Sequence, residues 1–129
     1  MEKSIGIMGI GAIGSNLAAL LAVDLRGEHE ITILDKDRVE ERNIQAGTQY
    51  FLPFQIGELK TEALQYRIYK DFSKEIEEVI NEKVTQDNAR ELVRGFDLII
   101  DCFDNFEARK AIVEASVDID CLHLGFPTK

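Results

Sequence analysis

Short apolar runs alternate along the chain with segments of helical spacing, regularly enough to predict a fold. Residues 4–8 form an apolar run closed by glycine, and residues 15–25 carry apolar side chains all around a helical period. Strand, turn and buried helix are expected. Residues 30–34 contain Ile-Thr-Ile-Leu, a β-branched run closed by Asp35-Lys36-Asp37, and predict a second strand. Residues 37–54 hold no period and include glycine, asparagine and proline, the pattern of a functional loop. Helical spacing resumes over 57–69, with Leu59, Ala63, Tyr66 and Ile68 on or near one face. Residues 78–84 alternate imperfectly and predict a third strand, and 87–93 predict a short helix capped by Asp87. The Leu-Ile-Ile within 96–103 predicts a fully buried strand, followed by a helix over 104–117 and a last short strand over 121–125. Strands alternating with helices imply parallel β-α-β units, hence a doubly wound, mostly parallel α/β sheet with helices on both faces.

The length of 129 residues, with 45% hydrophobic and 30% charged residues, fits one domain around one core. A net charge of −9 argues against a nucleic-acid partner, because release of counterions from phosphates needs clustered lysine and arginine. No apolar run approaches the ~20 residues that span a bilayer, so no membrane partner and a cytoplasmic location are expected. The two cysteines, Cys102 and Cys121, each lie in an apolar strand-like stretch and read as reduced core thiols outside any disulfide framework.

Candidate chemistry begins at Gly9-Ile10-Gly11-Ala12-Ile13-Gly14, between the first strand and the first helix. Glycines there permit a tight turn and close backbone approach, so the helix start can face phosphate with its unpaired N–H groups and partial positive charge. The turn alone cannot distinguish a mononucleotide from a dinucleotide, and the plain alternative is a turn selected for packing. Asp35 ends the second strand about 20 residues further on, where a carboxylate can accept from ribose hydroxyls. That also fits NAD. Asp101-Cys102-Phe103-Asp104-Asn105 then places two carboxylates at the end of the strand expected beside the first, at the crevice where strand order reverses. Carboxylates would repel bare pyrophosphate but suit a magnesium ion shared with phosphates, which favours ATP with Mg2+ over NAD. The bland role for Asp104 is a helix cap.

Four blocks then resemble, in order, the signatures of the ubiquitin-activating-enzyme-like ThiF/MoeB/HesA family. They are Gly9-x-Gly11-x-x-Gly14-Ser15-Asn16-Leu17, Asp35-x-Asp37-x-Val39-Glu40-x-x-Asn43-Ile44, Ile56-Gly57-x-x-Lys60 and Asp101-Cys102-Phe103-Asp104-Asn105-x-x-x-Arg109. The resemblance implies a Rossmann-like adenylation domain that joins a carboxylate to AMP and releases pyrophosphate. The carboxylate is usually the tail of a ubiquitin-like or sulfur-carrier protein. It further implies Asp35 on the ribose, Asp37 and Asn43 near the phosphates and metal, Lys60 on the phosphates, and Asp104 on magnesium, with Lys60 and Asp104 as the catalytic pair. A homodimer is implied by resemblance only.

The sequence departs from the family in places. The arginine that normally follows the asparagine by three positions is replaced by Ala46, and the stretch from Asn43 to Lys60 is one residue longer than usual. Arg38 and Arg42 are nearby but read as solvated loop charges. The first strand begins almost immediately, so the arginine that dimerising relatives bring from a neighbour's N-terminal helix is not expected. Family members continue past the fifth strand with a partner-binding crossover and often a catalytic cysteine, so the domain spanning 1–129 is expected to be truncated at its C-terminal end. No Cys-x-x-Cys pair occurs for a structural zinc. His29 in a polar loop and His123 at a strand end read as surface or packing residues. Two other readings stay open: an inactive member of the fold that binds nucleotide or protein, and an NAD-binding oxidoreductase or sensor.

Overall fold

A computed structural model describes residues 3–24, 29–45 and 47–125. Its element order is β1 (Lys3–Met8), α1 (Ala12–Ala22), β2 (His29–Leu34), α2 (Glu41–Gln45), a 3-10 turn (Pro53–Gln55), α3 (Lys60–Phe72), β3 (Glu78–Ile80), α4 (Ala89–Val93), β4 (Leu98–Asp101), α5 (Phe106–Ala115) and β5 (Asp120–His123). The strands form one sheet in the order β3-β2-β1-β4-β5, and every pairing is parallel. The expected doubly wound Rossmann-like α/β fold is thus observed. Central parallel strands are covered on both faces, which is why β1, β2 and β4 read as nearly continuous apolar runs. Ile5, Ile7, Ile31, Ile33 and Ile100 pack under α1 and α3. Met8, Leu34 and Ile99 pack on the other face, with residues of α4 and α5.

Register decides where chemistry can occur. Met8 pairs with Leu34 and with Asp101, Leu34 with Ile80, and Asp101 with His123. All five strands therefore end level, on a crest from Ile80 through Leu34, Met8 and Asp101 to His123. The order in which successive strands are added reverses between β1 and β4, the place where open α/β sheets leave a crevice.

Several elements differ from the expected ones, for physical reasons. Helix α1 starts at Ala12, inside the glycine turn, and buries only one side, through Gly14, Ser15, Ala18 and Ala19. Small residues let it lie close on the sheet, while Leu20 is 66% exposed; Leu25 lies outside the described residues. The buried stripe of α3 runs through Thr61, Leu64 and Ile68, a three-four spacing that turns Tyr66 outward to 49% exposure. Helix α4 starts after Asn88, not Asp87. The Asn88 side chain is engaged with the preceding loop, accepting from Thr85 N and donating to Lys83 O. Helix α5 is capped by Asn105, whose Oδ1 accepts from Ala108 N at 2.8 Å, so Asp104 is not the cap. The third strand is three residues long, and His29 lies in β2 rather than ahead of it. The cysteines are free but only half-buried. No helix among the described residues is long and apolar enough to cross a membrane.

The irregular segment after β2 is tied down at several points. Arg38 bridges to Leu59 and donates to Gly57 O, and Ser15 Oγ accepts from Tyr50 N at 3.0 Å. Gln55 is fully buried, with Oε1 accepting from Leu52 N and Nε2 donating to Ala63 O. Replacing it by leucine keeps the volume but leaves Leu52 N without its acceptor and takes the second donor from Ala63 O. Gln55→Leu should cost about 1–3 kcal/mol, measured as an earlier urea midpoint at unchanged slope; an unchanged midpoint would refute the role.

Candidate functional site

The glycine turn forms because two of its positions tolerate only glycine. Gly9 has φ +90°, in the left-handed region, and a Cβ there would stand 2.9 Å from the Phe103 ring. A Cβ on Gly14 would stand 1.9 Å from the Gly9 carbonyl oxygen. A Cβ on Gly11 would meet nothing within 4 Å. Helix α1 starts at this open side with neither a side-chain cap nor an acidic residue in its first turn. Its unpaired N–H groups and positive end are uncovered.

Above the crest lies a cleft of ≈ 1250 Å³ whose walls include Gly9, Gly11, Asp35, Asp37, Asn43, Lys60 and Asp104. Of the anticipated residues, Gly14 alone is not on the wall; it sits beneath the turn. Asp35 is 7% exposed. Its Oδ2 accepts from Ile10 N at 2.9 Å and its Oδ1 from Asp37 N at 2.8 Å. Each oxygen retains a second lone pair for a ligand. Asp37 O in turn accepts from Lys60 N at 3.0 Å, so backbone and carboxylate link the glycine turn to the start of α3. Asp37 also holds Lys36 at 2.7 Å, a contact that raises the Lys36 pKa.

Asn43, 6% exposed, caps its own short helix by accepting from Glu40 N at 2.7 Å. Among the described residues its amide NH2 donates to no protein group. Lys60 is 8% exposed. Its ammonium stands 6.0 Å from the Phe51 ring centroid and, among the described residues, pairs with no carboxylate. A nearly buried, unpaired cation at the first residue of a helix is doubly unfavourable, through desolvation and through the helix dipole. An anion in the cleft would offset both.

Asp101 at the end of β4 and Asp104 in the loop after it part company. Asp101 is fully buried and does not line the cleft. Its Oδ1 accepts from Phe103 N at 3.1 Å, and its Oδ2 meets His123 Nδ1 at 2.8 Å and Arg109 Nε at 3.6 Å. Asp104 alone is exposed to the cleft. Among the described residues no group of three or more His, Cys, Asp or Glu is placed to hold a metal ion. One carboxylate suits magnesium only if phosphates and water provide the other ligands. Arg42 reaches the cleft wall but is paired with Glu40 at 2.8 Å, and Ala46 lies outside the described residues. Sequence reasoning missed the wall formed by Glu82 to Asp87. The short third strand places this segment at the crest, a topological signal that a weak strand pattern hides.

A family model described as the ThiF family matches residues 1–124. The chain belongs to the ThiF family. Curated relatives include the sulfur carrier protein adenylyltransferase of Thermus thermophilus, 28% identical over 115 residues, covering 89% of this chain and 42% of the relative. Another is the ubiquitin-like modifier-activating enzyme 5 of Branchiostoma floridae, 31% identical over 124 residues, covering 86% of this chain and 29% of the relative. The chain thus spans less than half the length of these relatives. Among solved structures, the E. coli tRNA N6-threonylcarbamoyladenosine dehydratase TcdA superposes with a TM-score of 0.84 at 27% identity, covering 96% of this chain and 52% of that one. A structure of that protein with ATP superposes with a TM-score of 0.79 at 24% identity, covering 96% of this chain and 51% of that one, a likeness of fold.

Cys102 also lines the cleft of this ThiF chain. Burial, aided by the Asp101 charge, pushes its thiol from 9.0 up to about 11, and burial likewise raises Cys121. Both fit inert thiols rather than nucleophiles. A shift of that size lowers the thiolate fraction near pH 8 by about 100-fold. Iodoacetamide should therefore label Cys102 at about a hundredth of the rate of an open thiol, accelerating up to about pH 11. Fast labelling at pH 8 would contradict this.

Proposed function

We propose that this chain is the ATP-binding part of an adenylyltransferase that activates the C-terminal carboxylate of a ubiquitin-like or sulfur-carrier protein. One observation carries the reading: the nearly buried, unpaired Lys60 ammonium shares a cleft with the uncovered start of α1 and with the solvent-facing Asp104. Phosphates carrying a magnesium ion are the ligand chemistry that suits all three, anion for Lys60 and the helix start and cation for Asp104. The names of the relatives supply the reaction class and the carrier.

In this reading the substrate carboxylate attacks the α-phosphorus of ATP. The bond from that phosphorus to the bridging oxygen breaks, and pyrophosphate departs, leaving acyl-AMP. No proton need move at the reacting atoms, so the protein contributes position and charge. The glycine turn and the start of α1 hold phosphate through backbone N–H groups. Asp35 orients the ribose with its remaining lone pairs. Lys60 and the Asn43 amide take phosphoryl oxygens, with Asp37 placing Lys60 through its carbonyl. A magnesium ion carried by the triphosphate would neutralise its charge, with Asp104 as its protein ligand.

Ala46 favours a second reading, nucleotide or partner binding without turnover, because it removes the family's guanidinium. The readings differ in outcome. Under the first, the encoded protein catalyses carrier-dependent pyrophosphate exchange, and Lys60→Ala lowers kcat/KM by about 10²–10³-fold. Under the second, exchange is absent with every carrier and Ala46→Arg does not restore it. A thermal-shift comparison separates both from a dinucleotide site: Mg-ATP should raise the melting temperature and NAD should not.

A further inference from the structure

Arg109 ends the fourth of the family-like blocks but does not line the cleft. Its side chain is 14% exposed, one turn into α5, and its guanidinium collects the ends of two strands. Nη1 donates to Gly125 O at 3.3 Å, and Nη2 to Phe103 O at 2.9 Å, to Asp101 O at 3.4 Å and to Leu124 O. Nε faces the buried Asp101 carboxylate at 3.6 Å. Asp101 meanwhile holds Phe103 N and His123. Backbone bonds add Cys102 N to Met8 O and Leu124 N to Asp101 O.

Asp104 is the next residue along. Phe103 before it is fastened through N by Asp101 and through O by Arg109, and Asn105 after it is fastened by capping α5. Among the described residues the Asp104 carboxylate itself bonds to no protein group. An unpartnered carboxylate anchored on both sides is a ligand held ready rather than a loop charge. We propose that Arg109, balanced by buried Asp101, is a positioning residue: it clamps the tips of β4 and β5 so that Asp104 stands at the cleft wall. The proposal rests on the reading of Asp104 as the magnesium-facing carboxylate. The planar fork is essential, since lysine offers a compact ammonium that cannot span the carbonyls of both strand ends at once.

The test measures ATP affinity of the chain in magnesium and in EDTA, and takes the ratio as the magnesium-dependent gain. Asp104→Asn should reduce that gain. Arg109→Lys should reduce it by about 10–100-fold, as loss of a supporting contact around a metal ligand does, with affinity in EDTA unchanged. The double variant should lose no more than Asp104→Asn alone. Amide exchange at Phe103 and Asp104 should quicken in Arg109→Lys without ligand, while Ile10 and Gly11 stay as they were. If Arg109→Lys does not fold, Asp101→Asn, which keeps side-chain shape, carries the same comparison. Equal losses in EDTA and magnesium, or additive losses in the double variant, would overturn the clamp. An intact gain in Asp104→Asn would instead overturn the reading of Asp104. An intact gain in Arg109→Lys beside a loss in Asp104→Asn overturns the clamp alone.

Discussion

One run of hydrogen bonds organises the cleft: Ile10 N–H to Asp35, Asp37 N–H to Asp35, and Lys60 N–H to Asp37 O. Its centre is a single carboxylate, 7% exposed, at the tip of β2. Because both of its oxygens accept backbone N–H groups, the glycine turn after β1 and the loop after β2 cannot move independently. A loop so fastened can deliver Lys60 to the crest from 25 residues downstream. Without that link, the unpaired ammonium would be free to swing into water.

The opposite wall solves the same problem with a different buried acid. Asp101 ends β4 as Asp35 ends β2, but its partners are Phe103 N, His123 and Arg109. Both strand-end carboxylates thus order the backbone, Asp35 keeping lone pairs toward the cleft, while Lys60 and Asp104 place opposite charges on the cleft wall. A buried ion pair contributes little net stability but is costly to break on one side. Its plausible use is geometric: it makes the end of β4 adopt one conformation.

Much of the fold is legible in the chain because strands of a covered parallel sheet read as unbroken apolar runs, as Ile5 to Met8 and Leu98 to Ile100 do. The failures are local and share causes. At both Asp87-Asn88 and Asp104-Asn105 two good capping residues stand side by side, and single-sequence pattern cannot choose; asparagine takes the boundary in both cases. Tyr66 falls on one face with Leu59 and Ala63 by spacing alone, but the stripe of α3 that packs against the sheet is centred on Thr61, Leu64 and Ile68 and leaves Tyr66 exposed. The candidate site was legible as a set of residue types, and the cleft does gather Asp35, Asp37, Asn43, Lys60 and Asp104. What could not be read is which acid is free. Asp101 and Asp104 look alike in sequence, and only the register that sets Asp101 opposite Met8 and His123 buries one of them.

The central claim is that Lys60 awaits a nucleoside triphosphate. Its most direct measurement is the rate at which an amine-selective acylating reagent modifies Lys60, followed by mass spectrometry, with Lys70 on the exposed side of α3 as the internal standard. The account predicts that Mg-ATP slows modification of Lys60 saturably, leaves Lys70 unchanged, and is not imitated by NAD. An unchanged Lys60 rate at ATP concentrations that saturate binding, or equal protection by NAD, would contradict it.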